Sequence, residues 1–161
     1  MIMIRNWVLV ILTVFLLLDP AAAAGRKDWV ARWIWADENL GAQMVLFRRV
    51  FQLETVPETA RLRISASTAY RLFINGQYVR LGPARCAPHH QSYDDSDVSR
   101  FLVQGENLIA VRVHYQEGTV SYHHQGRAGL LLQLDLGESG RVFTSSDWKV
   151  LPDPAWDPRS P

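Results

Sequence analysis

Past residue 25, apolar positions alternate with polar ones far more often than they recur every third or fourth residue. Met44 to Leu53 is apolar around the basic pair Arg48-Arg49. Leu62, Ile64 and Ala66 alternate with Arg61, Arg63 and Ser65. A period of two sends one set into a core and the other to water. Tyr70 to Ile74 and Gln77 to Leu81 flank Asn75-Gly76. Asn-Gly between β-prone runs signals a tight hairpin, because both residues tolerate positive φ. In Asn107 to Tyr115 the set Ile109, Val111 and Val113 reads as the core face. Leu130 to Leu136, Val142 to Thr144 and Trp148 to Leu151 are further strands. Helical signal is confined to one short turn from Asp97 to Leu102, with Asp97 as its N-cap. Many short strands separated by turn residues predict an all-β fold over residues 25–151, an antiparallel β-sandwich or jelly roll.

The first 24 residues have a different pattern. Arg5 precedes an apolar run from Trp7 to Leu18, Asp19-Pro20 breaks it, and Ala21 to Gly25 are small. Charged, apolar and small regions in that order make a secretory signal peptide, with cleavage after Ala23 or Ala24. Twelve helical residues span roughly 18 Å, short of the ~30 Å hydrocarbon core. The expected product is therefore secreted or periplasmic, with no membrane association after cleavage. At the other end Pro152, Pro154, Pro158 and Pro161 crowd into ten residues. Residues 152–161 read as an extended linker or as the truncated start of a further domain.

Composition narrows the function. The net charge is +1 with 48% hydrophobic and 20% charged residues, which argues against both disorder and a nucleic-acid partner. Cys86 is the single cysteine, so neither an intrachain disulfide nor a Cys-rich zinc site is available. Adjacent histidines on a strand point to opposite faces, so neither His89-His90 nor His123-His124 makes a metal site by itself. No cofactor is expected. Asp94, Asp95 and Asp97 lie close in sequence and could serve glycoside hydrolysis or calcium. A helix cap and a solvated turn account for them more simply. There is no nucleophile elbow and no phosphate-cradling glycine loop.

Sugar contact is the chemistry best supplied. Trp33, Trp35, Tyr78, Tyr93, Tyr115 and Tyr122 are amphipathic rings able to stack on a pyranose, and core packing is the competing role for the tryptophans. Arg85, His89, His90 and Gln91 come after the Gly82-Pro83 turn, where fixed donors could meet hydroxyls. Trp35, Arg85, His89 and Tyr93 are the candidate carbohydrate-binding residues, and no residue is a candidate catalyst.

The order of the short motifs adds to this reading. Ala31-Arg32-Trp33-Ile34-Trp35 is succeeded by Phe47-Arg48-Arg49-Val50-Phe51 and Ala69-Tyr70-Arg71-Leu72-Phe73-Ile74-Asn75-Gly76-Gln77. Next come Gly82-Pro83-Ala84-Arg85, Tyr93-Asp94, Asp97-Val98-Ser99, Gly105-Glu106-Asn107-Leu108-Ile109-Ala110-Val111 and Ser146-Asp147-Trp148-Lys149. This series resembles the N-terminal β-sandwich region of bacterial α-L-rhamnosidases, which is galactose-binding-like. The resemblance implies a module beside a catalytic (α/α)₆ barrel that lies further along those enzymes. Catalytic residues of that barrel map onto no position here.

The expected function is thus a noncatalytic module of a secreted α-L-rhamnosidase-like glycoside hydrolase. Its expected partner is a downstream catalytic domain of the same polypeptide or operon, with a rhamnose-containing glycan as a candidate ligand. The alternative is a free-standing secreted lectin-like module. A complete small enzyme would need a reactive centre that the residues do not offer.

Overall fold

The computed structural model describes residues 29–37, 44–86, 90–116 and 127–156. The leader expected at residues 1–24 lies outside them. Among the described residues nine strands form two antiparallel sheets. They are β1 Met44–Leu53, β2 Arg61–Ala66, β3 Ala69–Ile74, β4 Gln77–Gly82, β5 Asp94–Asp97, β6 Gly105–His114, β7 Leu130–Asp135, β8 Arg141–Phe143 and β9 Lys149–Pro152. Sheet 1 has the order β4-β3-β6-β1-β9 and sheet 2 the order β5-β2-β7-β8. The fold is the two-layer antiparallel β-sandwich that the alternating pattern predicts.

The core lies between the sheets. Sheet 1 contributes Val45, Phe47, Tyr70, Leu72, Ile74, Ile109, Val111 and Val113, and sheet 2 contributes Leu62, Ile64, Leu130, Leu132 and Leu134. Burying each large side chain stabilises the fold by about 1.5–3 kcal/mol before conformational entropy is counted. The inward set on β6 is the one that alternation selects.

One end of the sandwich is fastened by two asparagines. Asn75 and Gly76 take φ of 50° and 78°, as a two-residue hairpin turn requires. The Asn75 side chain also reaches across to β6. Its Nδ2 donates to the carbonyl of Phe101 and to Asn107 Oδ1, each at 2.9 Å, and its Oδ1 accepts from the Leu108 amide at 2.8 Å. Asn107, fully buried, donates to the Val103 and Gly105 carbonyls and accepts from the Val103 amide. The Ile-Asn-Gly and Gly-Glu-Asn motifs therefore meet in one hydrogen-bonded network, and the amide groups of both asparagines have partners in it.

Three expectations change. Alternation turns Arg61, Arg63 and Ser65 to water, yet Arg63 and Ser65 are buried. Residues 29–36 explain this. Trp29 lies over the Arg63 guanidinium at 4.8 Å, the Val30 amide donates to Gln133 Oε1, and Ile34 pairs with Leu130. Ser65 is covered by the chain before β5, where its Oγ donates to the Ser92 carbonyl at 2.6 Å.

Second, Asp94 and Asp95 lie in strand β5 rather than in a solvated turn. A four-residue polar strand has no apolar alternation to reveal it. Asp97 is not the N-cap of the next turn, a position Val98 takes without a side-chain bond, but its carboxylate ties down the approach to that turn. It accepts from the Ser99 amide at 2.9 Å, at the start of the 3₁₀ turn Ser99–Phe101, and from the Ala60 amide at 3.0 Å. Third, within the segment expected as an extended linker or the truncated start of a further domain, residues 152–156 fold back on the sandwich. Pro152 ends β9, the Asp153 amide donates to the Met44 carbonyl, and Trp156 packs on His114 at 5.1 Å between rings. Residues 157–161 lie outside the described residues.

Candidate functional site

The strand registers sort the connections between strands by end. Met44 pairs with His114, Ala66 with Leu130 and Tyr70 with Gly82. At this Met44 end the chain enters and leaves the segments 38–43, 87–89 and 117–126. The Asn75 end holds the short turns described above. Of the described candidates, Trp35, Arg85 and Tyr93 belong to connections at or near the Met44 end, where connections are freer to vary than sheet strands.

The structure divides these residues among different surroundings. Trp35 packs against the core with its ring 5.8 Å from Phe47 and 6.0 Å from Tyr115. Its neighbour Trp33 is half exposed and lies over the backbone of Gly129, where a Cβ would stand 2.7 Å from the indole. Tyr93 is edge-on to Trp29 at 5.6 Å, on the outer side of sheet 2. Arg85 is exposed, and its carbonyl faces the Ser92 hydroxyl at 3.5 Å. His89 lies outside the described residues. Trp35 and Tyr93 thus have separate aromatic partners, while Arg85 and Tyr93 share the β4–β5 connection.

A group that sequence reasoning left out lies between the sheets at this end. Tyr70 on β3 points inward and its hydroxyl donates to Asp94 Oδ2 on β5. The other carboxylate oxygen, Oδ1, accepts from Arg80 on β4 at 3.0 Å. Burial first, and then the bond to Asp94, drives the Tyr70 pKa far above its ordinary value. The phenol is held neutral and locked as a donor. Gly82 passes directly behind this pair. A Cβ there would collide with Asp94 Oδ2 and stand 2.8 Å from the Tyr70 hydroxyl, so only glycine fits. The signal was present in the alternation, because Tyr70 shares parity with Leu72 and Ile74. An inward tyrosine needs a polar partner, and Tyr93-Asp94 supplies it.

The remaining carboxylates near β5 are also occupied. Asp95 takes a bidentate pair from Arg61, with both distances 2.8 Å. Asp135 accepts from Arg63 at 2.9 Å and Arg141 at 2.7 Å. Among the described residues no group of three or more His, Cys, Asp or Glu side chains is placed to hold a metal ion. These arrangements orient strands and connections. They do not present a paired acid and base to a glycosidic bond.

Residues 55–155 match the model of the alpha-L-rhamnosidase N-terminal domain family. The chain is similar to a GH78 family rhamnosidase of Bacillus sp. GL1, with a TM-score of 0.71, 30% identity, and coverage of 78% of this chain but 14% of that one. The Streptomyces avermitilis α-L-rhamnosidase complexed with L-rhamnose has a TM-score of 0.59 at 23% identity, covering 81% and 14% of the two chains. The Pleurotus ostreatus lectin shares the fold at a TM-score of 0.54 and 21% identity, covering 76% and 34%. No curated protein is similar enough to match. The matched region is thus about one-seventh of the length of each of the two rhamnosidases, 14% in both cases.

Proposed function

The chain belongs to the alpha-L-rhamnosidase N-terminal domain family, and from that membership we propose that it is the noncatalytic β-sandwich module of an exported α-L-rhamnosidase. The family match over residues 55–155 is the observation that carries this reading. The geometry agrees with it. The carboxylates of β5 and Asp135 are tied up in ion pairs and in bonds to backbone amides. In this role the module packs beside a catalytic domain. Arg85 and Tyr93 on the β4–β5 connection are the described residues offered to an approaching rhamnose-containing glycan, with His89 and the separately placed Trp35 as further candidates. The apolar stretch before Ala24 directs export.

The test is the polypeptide encoded by the complete reading frame, assayed for release of L-rhamnose from an aryl α-L-rhamnoside. Turnover is expected from that polypeptide and none from the 161-residue chain. A frame that ends without a further domain, together with calorimetric sugar binding by the chain alone, would replace this reading with a free-standing lectin.

A further inference from the structure

The two outer faces of the sandwich are unlike. On sheet 2 the outward arginines are all paired, Arg61 with Asp95 and both Arg63 and Arg141 with Asp135, and Trp29 lies over Arg63. On sheet 1 the register turns Leu46, Val50, Leu108, Ala110, Phe73 and Leu151 outward. An irregularity in β3–β4 pairing at Leu72/Phe73 adds Tyr78 and Leu81 to the same face. Four of these residues are among the most exposed large apolar side chains described: Leu81 57%, Tyr78 56%, Leu151 56% and Val50 48%. The basic residues Arg48, Arg71, Arg112 and Lys149 share the face, and Glu106 is the one carboxylate among its described strand residues. Beside them is a hollow of about 270 Å³, bordered by Met44, Ala69, Arg71, Leu81, Arg112 and Trp156.

We infer that the outer face of sheet 1 is the surface on which the next domain of the same polypeptide docks, through an acidic patch of that domain carrying an apolar side chain that fills the hollow beside Trp156. This rests on the module reading above. Three observations select the occupant. An exposed apolar sheet face of this extent is a protein-binding feature, and its side chains are mostly aliphatic, whereas sugars stack on aromatic rings. A second copy is disfavoured, because a twofold contact would set Arg48, Arg71 and Lys149 against themselves. The chain itself arrives on this face. Arg112 pairs with Asp153 at 3.2 Å and Trp156 packs on His114, so the described chain reaches Trp156 on the border of the hollow.

Hydroxyl-radical footprinting read residue by residue tests this, comparing the 161-residue chain with the polypeptide from the complete reading frame. Oxidation of Tyr78, Leu81 and Leu151 is expected to fall at least about fivefold in the longer polypeptide, as burial of most of their exposed area requires. Val56 and Val103, exposed elsewhere, should keep their rates. Leu81→Asp with Leu151→Asp should return the face to the rates of the short chain. Equal rates in the two polypeptides would overturn the inference, as would protection in the short chain alone on self-association or on adding anionic vesicles. Rhamnose release by the longer polypeptide without protection would sink the docking face and spare the module reading. Absence of rhamnose release would sink the module reading instead.

Discussion

Asn107 is the side chain on which the Asn75 end depends. It is fully buried and its amide joins the Val103 loop to the hairpin asparagine. Asn107→Ala would leave the Val103 amide without its side-chain acceptor and the Val103 and Gly105 carbonyls without their side-chain donor, while the Asn75 side chain keeps only the Phe101 carbonyl as acceptor, at roughly 1–3 kcal/mol per stranded group. Urea unfolding should show a loss of about 2–4 kcal/mol with an unchanged m value. Asn75→Gly keeps the positive φ and loses only side-chain bonds, so its loss should be smaller. Asp97 gives a prediction in pH. The amides of Ala60 and Ser99 hold its carboxyl below the ordinary aspartate range. A depressed folded pKa adds stability above the unfolded value, and that stability is lost as pH falls through the folded value. The difference in melting temperature between the wild type and Asp97→Asn should be constant from about pH 7 to about 4 and close below that.

Whether an element could be read in the sequence depended on what lay against it. Strands β1, β3 and β6 bury one face, so their alternation is plain and their limits fall close to expectation, while β4 was found from the Asn75-Gly76 turn that precedes it. β2 also alternates, but its outer face is covered by residues distant in sequence. Alternation reports polarity, and Arg63 stays polar even when buried under Trp29 and bonded to Asp135. β5 was hidden for the opposite reason. Its side chains are held by ion pairs and hydrogen bonds to Arg61, Tyr70 and Arg80 rather than by apolar contact. The candidate site was legible only as composition: the aromatic residues and the β4–β5 connection could be named, but not the ring each one faces. Trp29→Ala removes the cover of β2 and a cation–π contact of roughly 0.5–2 kcal/mol. It should lower stability by about 1–3 kcal/mol once lost packing is included. Its near-ultraviolet circular dichroism should change, since Tyr93 loses its ring partner.

At the scale of the whole molecule, charge and apolar area are distributed unevenly between two outer faces that share one core. Net charge near zero hides this, because the arginines of sheet 2 are held in ion pairs while the basic residues of sheet 1 stand beside Leu46, Val50, Leu81 and Leu151. The 161-residue chain should bind a hydrophobic dye such as anilinonaphthalene sulfonate more strongly than an ordinary monomer does. Leu81→Asp with Leu151→Asp should remove most of that fluorescence while leaving the melting temperature within a few degrees. Fluorescence unchanged in the double variant would place the dye elsewhere.

The Tyr70–Asp94–Arg80 clasp behind Gly82 has a consequence for how this scaffold can diversify. It joins both layers immediately beneath the Met44 end, so strand geometry is set before the chain enters the segments above. Foreign peptides exchanged into 38–43 or 117–126 would inherit a platform whose alignment does not depend on them. Such a plan makes the alignment of the strands independent of whatever sequence those segments carry.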